Sequence, residues 1–180
     1  MCFIFFVAKQ KIHRQKLRMN EVYSIDATDL RLIGVLQKDG RITNQDLARS
    51  CGLSPAACHE RVRRLREKGV IRATVALIEP KALDCDLLIF VEVVLDRTTN
   101  DAFRAFADHV RAIPEIQECH MVAGGFDYLI KARVSDMDAY RSFLGNILAS
   151  VPGVRETRTY AVLEKVKESP CLPMPGRRTA

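Results

Sequence analysis

In the first third of the chain, apolar residues recur with helical period in three short segments, each between a capping residue and a glycine. Asp26 can cap the first segment with Asp29 at its third position, and Thr43 with Asp46 repeats the arrangement before the second. Glycines can take the left-handed turns that end the segments. The pattern predicts helices within residues 26–40, 43–52 and 54–69, the scale of a helix-turn-helix unit. The expected buried face of the first helix is Leu30, Ile33 and Leu36.

The third segment, residues 54–69, has two distinct faces. Ser54 is a good N-cap and Pro55 suits the first helical position. Cys58, Val62 and Leu65 recur at i, i+4 and i+7 and form a narrow apolar stripe. The small residue near the start and the arginines behind it leave a face that could enter a DNA groove, although any solvated surface helix distributes charge similarly. The residues expected opposite the stripe are Ala56, Glu60, Arg63, Arg64 and Glu67.

After Gly69 the pattern becomes that of strands. The run Val70–Ile78 is rich in β-branched residues and predicts a strand pair that would form a wing, closed by Pro80. Leu87–Leu95 is an almost continuous apolar run and predicts a buried strand. The remaining segments continue as helix, strand, strand, helix and strand. This order, βαββαβ, predicts a ferredoxin-like unit.

Local signals bound each of these later elements. The first helix is expected to be capped by Asp101 and stopped by Pro114, and the second to begin at Ser135 or Asp136. The strands are expected at Ile116–Ala123, Asp127–Val134 and Val154–Leu163, with Gly124 and Gly125 in the hairpin turn. Both helices cover one sheet face, so apolar residues on the other face predict a dimer or larger assembly. The expected helix faces are Phe103, Phe106, Val110 and Ile113, then Met137, Tyr140, Leu144, Ile147 and Val151.

These elements give an α+β chain with an N-terminal winged helix-turn-helix domain and a C-terminal ferredoxin-like domain. We expect the DNA-binding domain at 24–72, a β-rich linker at 73–85 and the second domain at 86–168. Residues 1–23 are a disordered basic arm or a misassigned start, with Met19 as the alternative first residue. The proline-rich residues 169–180 are expected to be a disordered tail.

Charge separates the two predicted domains. Residues 24–82 carry 11 basic and 7 acidic side chains, whereas residues 83–168 carry 10 and 14. A basic first half favours an anionic partner such as DNA. The first eight residues are apolar but precede the basic run instead of following it, so they do not form an ordinary signal peptide, and they are too short to span a membrane.

The cysteines and histidines form no recognisable metal motif. Six cysteines occur without a CxxC pair, which indicates reduced thiols in a cytoplasm, and core packing is the expected role of Cys51 and Cys58. Neither a metal nor a cofactor is predicted.

Several motifs in this order together resemble the Lrp/AsnC family of feast/famine transcription regulators, from about Ile25 to Lys167. The resemblance implies a cytoplasmic, nucleoid-associated regulator of amino-acid metabolism that binds double-stranded DNA. It also implies dimers that assemble into octamers, with an amino acid bound between dimers. The motifs are Leu36–Ile42, Gly52–Pro55, Glu60–Leu65, Ile116–His120, Phe126–Leu129 and Thr157–Tyr160.

The resemblance also implies two sets of site residues. Gly124 and Gly125 offer backbone N–H groups to a ligand carboxylate, and the Asp127 carboxylate suits its ammonium group, although Asp127 could equally close the hairpin. The family's Gly-Asp-Phe-Asp is Gly-Gly-Phe-Asp here, and Ala161 replaces a larger valine. The effector is expected to be leucine or another apolar amino acid. The DNA-binding set is Ser54, Ala56, His59, Glu60, Arg63 and Arg64; the effector set is Met121, Gly124, Gly125, Asp127, Met137, Tyr160, Ala161 and Val162.

Two other functions are weighed against gene regulation. A family-derived enzyme, such as a decarboxylase of haem biosynthesis, is disfavoured because the histidines are scattered and no catalytic triad or glycine-rich phosphate motif is present. An amino-acid sensor without DNA binding is disfavoured by the arginines of residues 61–66. The chain is therefore predicted not to be an enzyme.

Overall fold

The chain divides into two compact units. A computed structural model describes residues 25–151 and 153–175, with the backbone alone for residues 146–150. The described residues up to Ala76, together with those from Lys167, form the N-terminal unit, and Leu77–Val166 form the C-terminal unit. The predictions for residues 1–23, for Ile147 and for residues 176–180 lie outside the described residues or side chains.

The N-terminal unit contains the three predicted helices: α1 is Ala27–Leu36, α2 is Asn44–Cys51 and α3 is Pro55–Glu67. The capping box at α1 is confirmed, since Asp26 Oδ1 accepts the N–H groups of Thr28 and Asp29, both at 2.8 Å. The Thr43 and Ser54 hydroxyls accept backbone N–H groups at the starts of α2 and α3. These local caps orient the helices because they satisfy donors that a helix leaves unpaired.

The core of this unit confirms the stripe on α3 and corrects the one on α1. Leu32 is fully buried, whereas Leu30 and Ile33 are half-buried and lie outside the core cluster. Apolar residues occupy more than one side of α1, so periodicity alone offered two stripes, and packing against α2 and α3 selected the one with Leu32. The buried cluster is Leu32, Leu47, Ala48, Cys51, Cys58 and Val62, with Leu36 packed against it.

The segment after α3 forms no strand, contrary to the predicted wing and β-rich linker. Within residues 70–79 the described backbone is irregular, and a short 3₁₀-helix, Pro80–Leu83, follows. Val75 and Leu77 are 73% and 74% exposed. A strand requires a hydrogen-bonded neighbour, and no described segment of the chain supplies one here, so β-propensity alone did not produce a strand.

The C-terminal unit confirms the βαββαβ prediction. Its antiparallel sheet has the order β2-β3-β1-β4. Thr99 rather than Asp101 caps the first helix, since its Oγ1 accepts the Ala102 N–H at 3.3 Å. Asp136 accepts two N–H groups at the start of the second. The elements are β1 Leu87–Leu95, α4 Asn100–Val110, β2 Ile116–Met121, β3 Tyr128–Val134, α5 Met137–Ser150 and β4 Val154–Ala161.

One face of this sheet carries the core of the unit. Ile89, Val91 and Val93 of β1 are at most 1% exposed and pack with Phe106 of α4 and Phe143 of α5 in one buried cluster. Alternation along the strand therefore places the odd-numbered residues of β1 under the helices, as expected for a half-covered sheet.

The opposite face is mixed rather than apolar, which corrects the sequence analysis. Phe90 pairs with Lys131, and Glu92 pairs with Leu129, so charged and apolar side chains alternate across the central strands. Lys131 Nζ donates to Glu118 Oε1 at 2.8 Å, and this bond lowers the pKa of Glu118. A partner for this face must therefore satisfy charges as well as cover apolar surface, and the dimer stays a prediction.

The C-terminal tail differs from its expectation over residues 169–175, which pack on the N-terminal unit. The Gln37 side chain pairs with both backbone groups of Leu172: its Oε1 accepts the N–H at 2.7 Å and its Nε2 donates to the carbonyl at 3.3 Å. Cys171 Sγ donates to the Gln37 carbonyl at 3.2 Å. Composition predicted disorder, but three prolines also limit the freedom of the unbound segment and so reduce the entropic cost of docking.

Candidate nucleic-acid interface and ligand site

The exposed side of α3 is the candidate nucleic-acid interface. Ser54 begins the helix, and its hydroxyl accepts the Ala57 N–H at 3.2 Å. Glycine at residue 52 takes a left-handed φ of 68°, which allows the short turn from α2 into this cap. Sequence reasoning omitted Ala57 and Arg66, although the helical period places both on this side. The exposed residues are Ser54, Ala56, Ala57, His59, Glu60, Arg63, Arg66 and Glu67.

Arg63 lies on this surface but is already paired. Its Nη2 lies 2.6 Å from Glu60 Oε1, and its Nη1 contacts Glu67. The bond to Arg63 lowers the pKa of Glu60, and the same bond raises the pKa of Arg63. A phosphate that approaches Arg63 must compete with two carboxylates. Arg66, by contrast, forms no ion pair or hydrogen bond through its side chain with any part of the chain that the structure describes.

Arg64 does not lie freely on the predicted DNA face. Its Nη2 donates to Asp29 Oδ2 at 2.8 Å, and Arg61 Nη1 donates to Asp29 Oδ1 at 2.8 Å and to Asp26 Oδ2 at 2.6 Å. Asp29 is 1% exposed. The bond from Arg61 lowers the pKa of Asp26. These four residues, which we call the Asp29 cluster, join α1 to α3, so Arg64 has a structural role that sequence reasoning missed.

The predicted effector residues fall into two groups at opposite ends of the sheet. Met121 of β2 pairs with Tyr128 of β3, which in turn pairs with Val93 of β1. Ala161 of β4 pairs with Ile89 of β1. These positions are four residues apart along β1 and three strands apart across the sheet, which corresponds to about 20 Å at typical strand spacings. The first group is Met121, Gly124, Gly125 and Asp127; the second is Met137, Tyr160, Ala161 and Val162.

The second group is exposed in a single chain. Met137 is 56% exposed and Tyr160 is 50% exposed. The Tyr160 hydroxyl donates to Glu92 Oε1 at 3.2 Å, which raises the pKa of Tyr160. Met121 of the first group is likewise 58% exposed. An apolar lining made from these side chains therefore needs another surface to cover it.

The first group borders a small open cleft of about 230 Å³. Asp127 connects the loop at this cleft to β1 by two hydrogen bonds. The Oδ2 atom of Asp127 accepts the Leu95 N–H at 2.8 Å, and the backbone N–H of Asp127 donates to the Val93 carbonyl at 2.9 Å. One carboxylate oxygen of Asp127 is thus used to close the loop, and its contact with an effector stays a prediction. The lining residues are Val94, Leu95, Asp96, Thr98, Gly124, Gly125, Phe126, Asp127 and Arg155.

Two further observations concern metals and membranes. The described residues contain no group of three or more histidine, cysteine, aspartate or glutamate side chains placed to hold a metal ion. None of the helices within the described ranges is both long and apolar enough to cross a membrane.

Two family models match the chain, one on each unit. The model described as a winged helix-turn-helix DNA-binding domain matches residues 25–72, and that of the Lrp/AsnC ligand binding domain matches residues 88–172. The leucine-responsive regulatory proteins of Escherichia coli (strain K12) and Klebsiella pneumoniae are each 52% identical to the chain over 145 residues. These matches cover 81% of the chain and 88% of each relative.

Solved structures match over a similar share of the chain. A transcriptional regulator from Neisseria meningitidis in complex with L-Met is 35% identical, with a TM-score of 0.79, and the match covers 83% of this chain and 97% of that one. The feast or famine regulatory protein from M. tuberculosis complexed with L-methionine is 32% identical, with a TM-score of 0.74 and coverage of 84% and 100%.

Proposed function

Because the chain belongs to the Lrp/AsnC family of transcriptional regulators, we propose that α3 enters the major groove of double-stranded DNA and that an amino acid bound to the C-terminal unit modulates this binding. The exposed side of α3 carries the first half of the proposal. Small residues at its start, Ala56 and Ala57, let the backbone approach base edges, and His59 and Glu60 offer groups that read them.

Phosphate contacts supply the other part of DNA binding. Arg66 lies on the exposed side without a side-chain partner among the described residues, and Arg63 can bind a phosphate that displaces Glu60 or Glu67. Such contacts give affinity that depends on salt but not on sequence. Arg64 acts indirectly, because its bond to Asp29 sets the position of α3 against α1.

The effector half of the proposal needs more than one copy of the chain. The two groups of predicted residues are about 20 Å apart at typical strand spacings, so one small amino acid cannot contact both within a single chain. In such a site, the loop of one copy would bind the carboxylate and ammonium groups of the amino acid. Apolar residues of another copy, such as Met137 and Val162, would contact its side chain. We therefore propose a dimer that assembles further, with an octamer as the expected form, and an apolar effector such as leucine or methionine.

The remaining parts of the proposal follow from gene regulation. A regulator acts where its operators lie, so we propose a cytoplasmic, nucleoid-associated location. The relatives named above are regulatory proteins, and their names support a non-enzymatic role. An enzyme related to this family is the second candidate, and the absence of a catalytic triad or glycine-rich phosphate motif in the sequence disfavours it.

Gel-shift titration of the full chain against the DNA upstream of its own gene tests the proposal. We expect binding that weakens with salt and that changes when leucine or methionine is added. Light scattering on the same samples should show a dimer or larger assembly. An unshifted DNA fragment together with a monodisperse monomer at micromolar concentration would contradict both halves.

A further inference from the structure

Two opposite charges border the loop cleft of the C-terminal unit, although they lie far apart in sequence. Asp96 directly follows β1, and Arg155 is the second residue of β4. The antiparallel register brings them close, because Leu95 pairs with Val154 and the Asp96 N–H donates to the Gly153 carbonyl at 2.8 Å. Both residues line the cleft, as do Gly124 and Gly125.

Neither of these charges has a partner among the residues that the structure describes. No described residue forms an ion pair or a side-chain hydrogen bond with Asp96 or Arg155, and the two do not pair with each other within 4.0 Å. In the same strand Arg158 is paired, with its Nε 3.0 Å from Glu156 Oε1. The cleft is therefore bordered by an anionic and a cationic residue that are not paired with each other.

The glycine at residue 153 leaves space for the carboxylate of Asp96. Gly153 has a left-handed φ of 81°, and a Cβ atom built there would lie 3.1 Å from Asp96 Oδ1. Only a glycine accepts both this conformation and this approach without adjustment of the carboxylate. Asp96 thus rests over the bare Cα of residue 153.

The glycines of the loop provide free donors. The N–H groups of Gly124 and Gly125 donate no hydrogen bond within the described residues, and a Cβ atom at either position would meet nothing within 4 Å. Open backbone amides beside a guanidinium group suit a carboxylate.

We propose that this cleft binds the head group of a free amino acid, with Arg155 and the two glycine amides on the α-carboxylate and Asp96 on the α-ammonium group. Asp127 then has a structural role, because its carboxylate already closes the loop on Leu95. This assignment rests on the proposed function and specifies the ligand groups of its effector site. A volume of about 230 Å³ is below the usual range for drug-sized ligands, so the cleft fits a head group and a short side chain.

Calorimetric titration of the full chain with leucine and two analogues tests each charge separately. Leucine amide lacks the carboxylate, and 4-methylpentanoate lacks the amino group. We expect the parent to bind each analogue about 10- to 100-fold more weakly than leucine, the range for a hydrogen bond to a charged group. In Arg155→Gln, the preference for leucine over its amide should become smaller, because only the two glycine amides still bind the carboxylate. In Asp96→Asn, leucine and 4-methylpentanoate should bind about equally.

Matched controls separate these residues from their neighbours. Arg158→Gln changes a paired arginine of the same strand, and Asp108→Asn changes an aspartate paired with Arg111 on α4. Both should keep the parent's discrimination between leucine and its analogues. Circular dichroism and DNA binding check that every variant is folded.

The outcomes distinguish the two proposals. A parent that binds neither leucine nor methionine contradicts the proposed effector and the head-group assignment together. A parent that discriminates among the analogues while Arg155→Gln and Asp96→Asn do so equally well overturns the assignment alone. In that case an Asp127→Asn variant that binds leucine and 4-methylpentanoate about equally would return the ammonium contact to Asp127.

Discussion

This protein contains two groups of arginine and aspartate residues, and the charges are paired in one group and unpaired in the other among the described residues. In the N-terminal unit, Arg61 and Arg64 are bonded to Asp29, which is 1% exposed. In the C-terminal unit, Asp96 and Arg155 are exposed and unpaired within the described residues. The first group joins two helices, and we propose that the second binds a ligand. The two groups contain the same residue types. Whether their charges are paired distinguishes the structural group from the candidate binding group.

The largest expected effect comes from Asp29→Asn, which breaks the paired group. Both guanidinium groups lose a buried anionic partner, so we expect the free energy of unfolding to fall by about 3 kcal/mol, the low end for a broken buried ion pair. Denaturant unfolding followed by circular dichroism measures this change.

Asp46→Asn is the matched control for that variant. Asp46 occupies the same third position in α2, bonds to Thr43 and Arg49, and is exposed. A surface pair of this kind contributes at most about 1 kcal/mol. Equal losses in the two variants would show that helix capping, and not the Asp29 cluster, provides the stabilisation.

The same comparison shows which features the sequence could predict. Asp26, Thr43 and Ser54 were correctly predicted as caps because a cap depends on neighbours within three residues. The bonds from Arg61 and Arg64 to Asp29 span two helices, and sequence spacing alone does not fix how two helices pack. The pair formed by Asp96 and Arg155 depends in the same way on the register of β1 and β4.

Two errors in the sequence analysis have the same physical origin. Val70–Ile78 has high β-propensity, but a strand forms only where a neighbour supplies hydrogen bonds. The prolines of residues 170–175 suggested disorder, yet Gln37 binds the backbone of Leu172. In both cases the deciding partner is distant in sequence.

The two units should also differ in their response to alkaline pH. Burial raises the pKa of Tyr128 from 10.0 to about 12 and that of Cys119 from 9.0 to about 11, and both belong to the C-terminal unit. A group whose pKa is higher in the folded state stabilises the fold below its unfolded pKa and loses that contribution as pH rises through its folded pKa. We therefore expect the free energy of unfolding to fall as the pH rises from 9 to 12.

Tyr128→Phe identifies the source of this alkaline loss. The phenol makes only a long hydrogen bond of 3.5 Å to the Phe103 carbonyl, so its removal is tolerable at neutral pH. We expect a shallower decline in stability above pH 10 in thermal unfolding scans. An unchanged decline would assign the effect to Cys119 or to groups outside the C-terminal unit. At acidic pH both units should lose stability, because the pKa values of Asp26 in the N-terminal unit and of Glu118 in the C-terminal unit are lowered in the fold, and their contributions are lost as pH falls below about 4.

Two arginines of α3 that lie two residues apart should have different roles, and the expected effects of replacing them are smaller. Arg64→Ala should cost about 1 kcal/mol of stability, since its bond to Asp29 is lost while its side chain is 42% exposed. Arg66→Ala should leave stability unchanged and weaken DNA binding, and the slope of log K against log salt should become shallower by about 0.9. Fluorescence anisotropy at several salt concentrations measures the DNA affinity of the parent and of Arg66→Ala. An unchanged slope in Arg66→Ala would move the phosphate contact to Arg63 or elsewhere.

The smallest expected effect concerns the tail on α1. Gln37→Leu keeps the size of the side chain but removes the amide that pairs with both backbone groups of Leu172. Because the segment is exposed, the two hydrogen bonds should contribute only about 1 kcal/mol, enough to raise the undocked population of the tail about fivefold. Hydrogen exchange at the Leu172 N–H measures that population directly, and Gln45→Leu, an exposed glutamine of α2, is the control. Protection at Leu172 that survives Gln37→Leu would mean that other contacts, such as the bond from Cys171 Sγ to the backbone carbonyl of residue 37, hold the tail instead.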